Sequence, residues 1–498
     1  MGEIEEIINK LRDQNNNIQS AINIETLILN ILTMYSSDQG KDIKTNLRVP
    51  KKIGYLSLDA YLPEGIDNCY GGTVVDVKSY IKIESVMNFF SEDNNLFQDL
   101  LETNVELKNI ICIFTMDIED AHKQKLLSKL KSKDINVVIW GMSDLERISS
   151  DHIEDINKIS KSLSVIMLES AIVNSVNNED DDWRKRNEIY IEGLKKKYYD
   201  DNLVMFLGAG TSKDAEIPTW NELIFELIVS LISENSKHNF TNEEKKFIVS
   251  KIKNMNLDSP LLEARYVEKG LRDGFIDKLT ELLYKRCINT SNILEEITQL
   301  CIPIRGGIGI RAVVTYNFDD LLEYNLNSLG ITHRSIYTEE VPLKHELGVY
   351  HVHGFLPRDR NRYKDLSKWL LVFSEAGYHS LILDPYNWAN IVQLNYLREN
   401  TCLFIGMSMT DPNLRRLLDI AAVRRQENDN LCKHYAILKK EEFKVDKLID
   451  SNIDENKIKV FEKANRNIME LSFKELGINI IWIEDFKEIP GILKKIKE

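Results

Sequence analysis

Four apolar runs in the second half of the chain end in groups able to do chemistry. Leu203-Val204-Met205-Phe206-Leu207 leads into Gly208-Ala209-Gly210-Thr211-Ser212. Other runs end at Thr315-Tyr316-Asn317 with Asp319 just beyond, at His353-Gly354, and at Gly406-Met407-Ser408. Glycines at a strand end let backbone N–H groups approach a pyrophosphate. A carboxamide and an imidazole can hold and activate a water or hydroxyl. Alone, Gly208-Ala209-Gly210 is equally well a tight turn, since position 213 is Lys213 and no clear acidic strand end follows about 20 residues on. Agreement among four strand ends is harder to explain as packing, because ligands bind along the carboxyl edge of a parallel sheet.

Several neighbours have plainer readings. His351 reads as a packed core histidine, Trp220 as a helix-start packing residue, and Asp411, before Pro412, as the N-cap of the next helix. Asn317 has a competing reading as a cap for a helix beginning near Asp319-Asp320. Glu375 and Tyr378 receive no role.

The first half carries a different constellation. Asp59 lies in Leu58-Asp59-Ala60-Tyr61-Leu62, Asp67 follows Pro63-Glu64-Gly65-Ile66, and Asp76-Val77-Lys78 closes the next apolar run. Residues two apart on a strand project to one face, so Asp76 and Lys78 share a side. With a second acid from the neighbouring strand, Asp59 or Asp67, such a face could hold Mg²⁺, with Lys78 orienting water or offsetting phosphate charge. Asp59 is preferred because it sits within a strand while Asp67 belongs to the turn. The bland alternative is a solvent-facing ion pair.

These groups need scaffolds. In the second half, apolar runs alternate with helical patterns, which predicts a doubly wound parallel sheet covered on both faces; about 225–300 reads as a helical insertion. In the first half the order is helix (Ile22 to Met34), hairpin (Gly54 to Leu62, Thr73 to Tyr80), helix from Ile83, strand (Asn109 to Phe114), helix around Leu126, Leu127 and Leu130, and strand (Ile135 to Trp140). The fold class is α/β in both halves. The expected division is 1–165, a charged linker and helix at 166–202 containing Glu179-Asp180-Asp181-Asp182, and 203–490.

Composition sets limits. At 498 residues, 43% hydrophobic and 29% charged, the chain is an ordinary globular protein of two or three domains. A net charge of −14 argues against bulk attraction to anionic membranes or nucleic acid, so any such binding needs a local site. Six cysteines without a Cys-x-x-Cys pair give no zinc knuckle and no disulfide framework, and read mainly as buried thiols. With no signal-like start and no long apolar run, a cytoplasmic location and no membrane partner are expected.

Gly208-Ala209-Gly210-Thr211-Ser212, Ile217-Pro218, Thr315-Tyr316-Asn317-Phe318-Asp319 and His353-Gly354 resemble, in order, the NAD-binding motifs of sirtuins. Gly406-Met407-Ser408-Met409-Thr410-Asp411-Pro412-Asn413 resembles the sirtuin-like domains of bacterial antiphage defence proteins. The resemblance covers about 203–490. It implies a Rossmann-like fold with NAD⁺ as substrate, Asn317 at the ribose and water, Asp319 on the nicotinamide carboxamide, and His353 as general base. It also implies Gly208, Ala209, Gly210, Ser212, Gly406 and Ser408 along the phosphates and adenosine. The chain departs from protein deacylases at Thr219-Trp220-Asn221 and in lacking the four-cysteine zinc module. NAD⁺ hydrolysis is therefore the implied activity and acyl-lysine binding the least favoured.

Residues 1–160 resemble the Mrr-like branch of the PD-(D/E)xK restriction-endonuclease-like superfamily, on Asp59, Asp76 and Lys78, with Glu25 at the position of a supporting acid. This implies Mg²⁺ on Asp59 and Asp76 and a DNA partner. The joint expectation is an NAD⁺-depleting defence effector, self-associating and gated by a phage trigger or partner defence protein. The alternative is a nuclease effector gated by a non-cleaving NAD or ADP-ribose sensor.

Overall fold

A computed structural model of the chain describes residues 2–14, 17–50, 55–78, 103, 106–119, 123–124, 135–163, 165–169, 172, 183–235, 240–241, 243–244, 247–248, 251, 260–364, 366, 371–423, 433–443 and 455–498. The helices expected from Ile83 and around Leu126, and the acidic run 179–182, lie outside them.

Two compact units emerge: residues 1–189 with 422–433 and 441–479, and residues 190–421 with 434–440 and 480–498. They depart from the expected 1–165 and 203–490 division in that 422–433 and 441–479, late in the sequence, group with the first.

The first unit opens with α1 (Glu3–Gln14) and α2 (Asn17–Asp38). Ile4, Ile7, Ile8 and Leu11 recur at helical spacing and are buried on one stripe of α1. Strands β1 (Lys44–Pro50), β2 (Tyr55–Leu62), the short hairpin β3 (Gly65–Ile66) and β4 (Cys69–Tyr70), then β5 (Thr73–Lys78), β6 (Asn109–Phe114) and β7 (Asn136–Trp140) follow. The sheet order is β1-β2-β5-β6-β7. β1, β2 and β5 pair antiparallel, while β5, β6 and β7 run parallel. One apolar cluster joins Val75, Val77, Ile111 and Ile113 to α1 and α2, and a second gathers Val74, Ile110, Cys112 and Phe114. Alternate residues of β5 and β6 thus serve opposite layers.

Next come α3 (Met142–Ser149), α4 (Ile153–Ser160) and α5 (Trp183–Tyr199), which continues into the second unit. That unit holds a seven-stranded sheet of β8 (Leu203–Leu207), β9 (Ile310–Thr315), β10 (His333–Ile336), β11 (Leu347–His351), β12 (Thr401–Ile405), β13 (His434–Lys439) and β14 (Ile478–Ile483). Its order is β10-β11-β9-β8-β12-β13-β14, and each described pairing is parallel. Chain order turns back between β8 and β12, the switch point where doubly wound sheets open a crevice. The described part of 225–300 carries helices at Trp220–Asn235, Pro260–Leu271, Phe275–Tyr284 and Asn292–Leu300 and no strand. No helix among the described residues is long and apolar enough to cross a membrane.

Candidate active site

The four strand ends singled out in the sequence belong to β11, β9, β8 and β12, consecutive neighbours at the centre of the second sheet. Being parallel, they deliver His353, Asn317, the Gly208 loop and the Gly406 loop to one rim.

The glycines lock two loops together. Gly208 N–H donates to Ile405 O at 3.0 Å and Gly210 N–H to Gly406 O at 2.9 Å. Gly406 has a φ of +66°, and a Cβ there would sit 2.5 Å from the Thr211 nitrogen. A Cβ on Gly210 would meet Gly406 Cα at 2.8 Å. The Thr211 and Ser212 amides donate to Gly208 O and Ala209 O. The loop continues as two 3₁₀ turns, Ala209–Thr211 and Lys213–Ala215, and the α-helix starts only at Trp220. The glycines are therefore required by loop-to-loop contact, and in this conformation four of the loop's amides are used within the protein. Ala209 is exposed, and Ser408, also exposed, shares a hydrogen bond with Thr410 at 2.7 Å.

Asn317 does not cap the following helix. Its Nδ2 donates to Thr211 Oγ1 and Ser212 Oγ, both at 3.1 Å. Thr211 Oγ1 in turn donates to Gly208 O at 2.8 Å, and the Ser212 hydroxyl is bonded to the Asp319 carboxylate. With both hydroxyl protons committed, the amide can only donate to them, which fixes its orientation. Asn317 Oδ1 is then left buried without a partner. Asp319 also accepts the Leu321 N–H at 3.2 Å, and burial raises its carboxyl to about 6.

His353 is buried, its Nε2 unpartnered and 3.9 Å from Asp411 Oδ2. Tyr316 and Tyr378 press edge-on against the ring at 4.4 and 5.7 Å between centroids. Burial holds the imidazole down at about 4, against a smaller opposing pull from Asp411. It is a neutral ring at pH 7, as a base must be. His351, two residues earlier, faces acceptors on both sides: Nε2 lies 2.7 Å from Glu323 Oε1 and Nδ1 3.2 Å from the Asn317 carbonyl. It is a structural tie, and it pins the backbone of Asn317. Trp220 packs near Phe373, in keeping with its packing role.

Sequence reasoning gave Asp411 only its cap, and Oδ1 does accept the Leu414 N–H at 2.7 Å. Its second oxygen accepts the Tyr378 hydroxyl at 2.7 Å and looks toward His353. Thr211, Tyr316 and Tyr378 were likewise passed over. A cavity of about 810 Å³ lined by Asn289, Gln299, Tyr324, Asn325, Lys494 and Lys497 touches none of the candidate residues.

The first unit brings Glu25, Asp59, Asp76 and Lys78 into one electrostatic cluster. Lys78 Nζ meets Asp76 Oδ1 at 2.7 Å with both side chains 15% exposed or less, an ion pair but not a solvent-facing one. Asp59 Oδ2 accepts the Val77 N–H at 2.7 Å. Burial, then the charges of Glu25 and Asp76, push Asp59 up to about 8; burial also raises Glu25. Asp67 stands elsewhere, bonded by Tyr35, Gln39 and Arg147. No metal-holding group of three His, Cys, Asp or Glu residues occurs among the described residues.

The rim geometry defines a Rossmann-like sheet with a polar strand-end site, and residues 311–466 match the family model described as SIR2-like domain. The chain is also similar to three proteins named NAD(+) hydrolase ThsA. Identity is 24% over 317 residues with the Bacillus cereus (strain MSX-D12) protein and 27% over 318 with that of Enterococcus faecium. The Acinetobacter baumannii (strain 532279) protein is 24% identical over 317. Each match takes in 62% of this chain, which spans 56–58% of the relatives' own length.

Proposed function

We propose that the second unit hydrolyses NAD⁺ to ADP-ribose and nicotinamide. The observation that carries this reading is the buried, unpartnered Asn317 Oδ1 together with the buried, neutral imidazole of His353, held at the ends of the adjacent strands β9 and β11. The named activity of the relatives supports it. The bond from ribose C1′ to the pyridinium nitrogen breaks, and its electron pair leaves with nicotinamide. Water forms the new C1′–O bond and releases a proton. Asn317 Oδ1 accepts a hydrogen bond from the water or a ribose hydroxyl, and His353 takes the proton. Asp319 lies on the nicotinamide side, with the phosphates along Ala209 and Ser408. The positively charged leaving group is already activated, so this chemistry asks for no metal.

The proposed biological role is antiphage defence by NAD⁺ depletion, in a self-associating protein gated by a phage trigger or partner. The strand order of the first unit and its Asp76-Val77-Lys78 strand support a restriction-endonuclease-like fold that engages DNA. Asp59 and Asp76 are the residues that would hold Mg²⁺ there, with Glu25 in support.

The test is nicotinamide release by the full chain alone, with DNA and with phage lysate, for wild type, Asn317→Ala and His353→Ala. Release by wild type alone of the three supports the reading. No release under any condition, beside an active NAD-cleaving control, overturns it. Because His353 titrates near 4, the rate should stay flat from about pH 6 to 8 and fall only as the imidazole becomes protonated.

A further inference from the structure

We propose that Asp411 is the positioning carboxylate of His353: it draws the imidazole proton to Nε2, leaving the Nδ1 lone pair to accept the proton that water gives up. The inference rests on the NAD⁺-hydrolase reading for the identity of that proton, and on geometry for the pairing itself.

Asp411 Oδ2 is 3.9 Å from Nε2, and both side chains are nearly buried, 12% and 8% exposed. A lone pair on Nε2 facing a carboxylate is repulsive, whereas an N–H there is attracted. In a neutral imidazole the nitrogen facing an acceptor carries the proton, and the other is basic. At 3.9 Å the contact is longer than a hydrogen bond, and such contacts commonly tighten when substrate binds.

The carboxylate is itself held. Oδ1 accepts the Leu414 N–H at the start of the helix Pro412–Val423, and Oδ2 accepts the Tyr378 hydroxyl. The titratable groups around the ring are Asp411, Tyr378 and Tyr316, so Asp411 is the one carboxylate on it. When His353 takes the proton, the imidazolium forms beside this charge. No other element of the rim then has to supply a counter-charge to the ring.

Asp411→Asn is the informative change, because asparagine keeps the N-cap acceptor for Leu414 while removing the charge. Its amide offers an N–H toward Nε2, which moves the ring proton to Nδ1 and blocks the base. In the full chain labelled with ¹⁵N-histidine, with His353 assigned by its loss in His353→Gln, wild type should show Nε2 protonated and Nδ1 bare. Asp411→Asn should reverse this. If wild type hydrolyses NAD⁺, kcat should fall by about 10²-fold or more with KM within about threefold. Tyr378→Phe, which only loosens the carboxylate, should lose about tenfold in kcat and keep the wild-type tautomer.

The two readings fail separately. A tautomer that reverses in a protein releasing no nicotinamide overturns the NAD⁺ reading and leaves the pairing standing. A tautomer unmoved by Asp411→Asn overturns the pairing, even if kcat falls. Wild-type kcat in Asp411→Asn overturns it too.

Discussion

The two polar clusters of this chain handle charge in opposite ways. In the first unit Lys78 neutralises Asp76, Val77 bonds Asp59, and burial keeps Asp59 protonated up to about 8. One oxygen, Asp76 Oδ2, is left over. In the second unit Asn317 spends Nδ2 on Thr211 and Ser212 and keeps Oδ1 without a partner, and His353 Nε2 is buried without a hydrogen bond. An unsatisfied buried polar group costs about 1–3 kcal/mol. The rim keeps Asn317 Oδ1 for something that supplies the missing bond, and His353 Nε2 for Asp411. Compensation dominates the first cluster, with one carboxylate oxygen over, and under-bonding dominates the second.

The contrast can be broken most directly at the rim. His353→Ala and Asn317→Ala should each lower nicotinamide release by about 10²-fold or more per folded molecule, the folded fraction being read from urea titrations because the first opens the contact with Tyr316 and Tyr378 and the second removes two hydrogen bonds. An activity near wild type in both would put the under-bonded atoms down to folding alone. His351→Ala should behave in reverse. It leaves the buried Glu323 with only the Ser335 hydroxyl and no cationic partner, which lowers unfolding free energy by about 3–5 kcal/mol in urea titrations. Two histidines on one strand end would then separate chemistry from stability.

Gly406→Ala should cost about 1–3 kcal/mol, because the backbone is left-handed and the new Cβ strikes the Thr211 amide. Melting temperatures of the full chain would show it. The smallest effect is in the pH dependence. Asp59, raised from 3.8 to about 8, gives stability that is complete below about pH 4 and lost as pH rises toward 8. His353, lowered from 6.5 to about 4, does the opposite, losing stability as pH falls from 6.5 to 4. Asp59→Asn should flatten the alkaline side of a melting-temperature profile and His353→Ala the acidic side. Identical profiles for both variants would erase the distinction between the clusters.

The strand ends were legible because apolar runs stopping at Gly, Asn and His need only a parallel sheet to become one rim, and the alternation with helices implied that sheet. The encounter of Asp411 with His353 was not legible. They are remote in sequence, and their meeting depends on the order β11-β9-β8-β12, which no local pattern carries. Nor could sequence tell that Gly208 and Gly210 serve contact with Gly406, since that needs the register of two separate strands. Strand β1 escaped because Lys44-Thr45-Asn46-Leu47-Arg48-Val49-Pro50 has only Leu47 and Val49 as apolar signal and lies at a sheet edge. α1 was readable from its isoleucines but was passed over for its acidic start.

Residues 441–479 belong with the first unit although strand β13 of the second precedes them, and the helix Glu455–Glu475 within them brings Lys474 to bear on Glu25. Neither unit is thus a continuous stretch of gene. A stop codon or protease cut in the charged seam before Trp183 would deprive the N-terminal fragment of a piece encoded hundreds of nucleotides downstream.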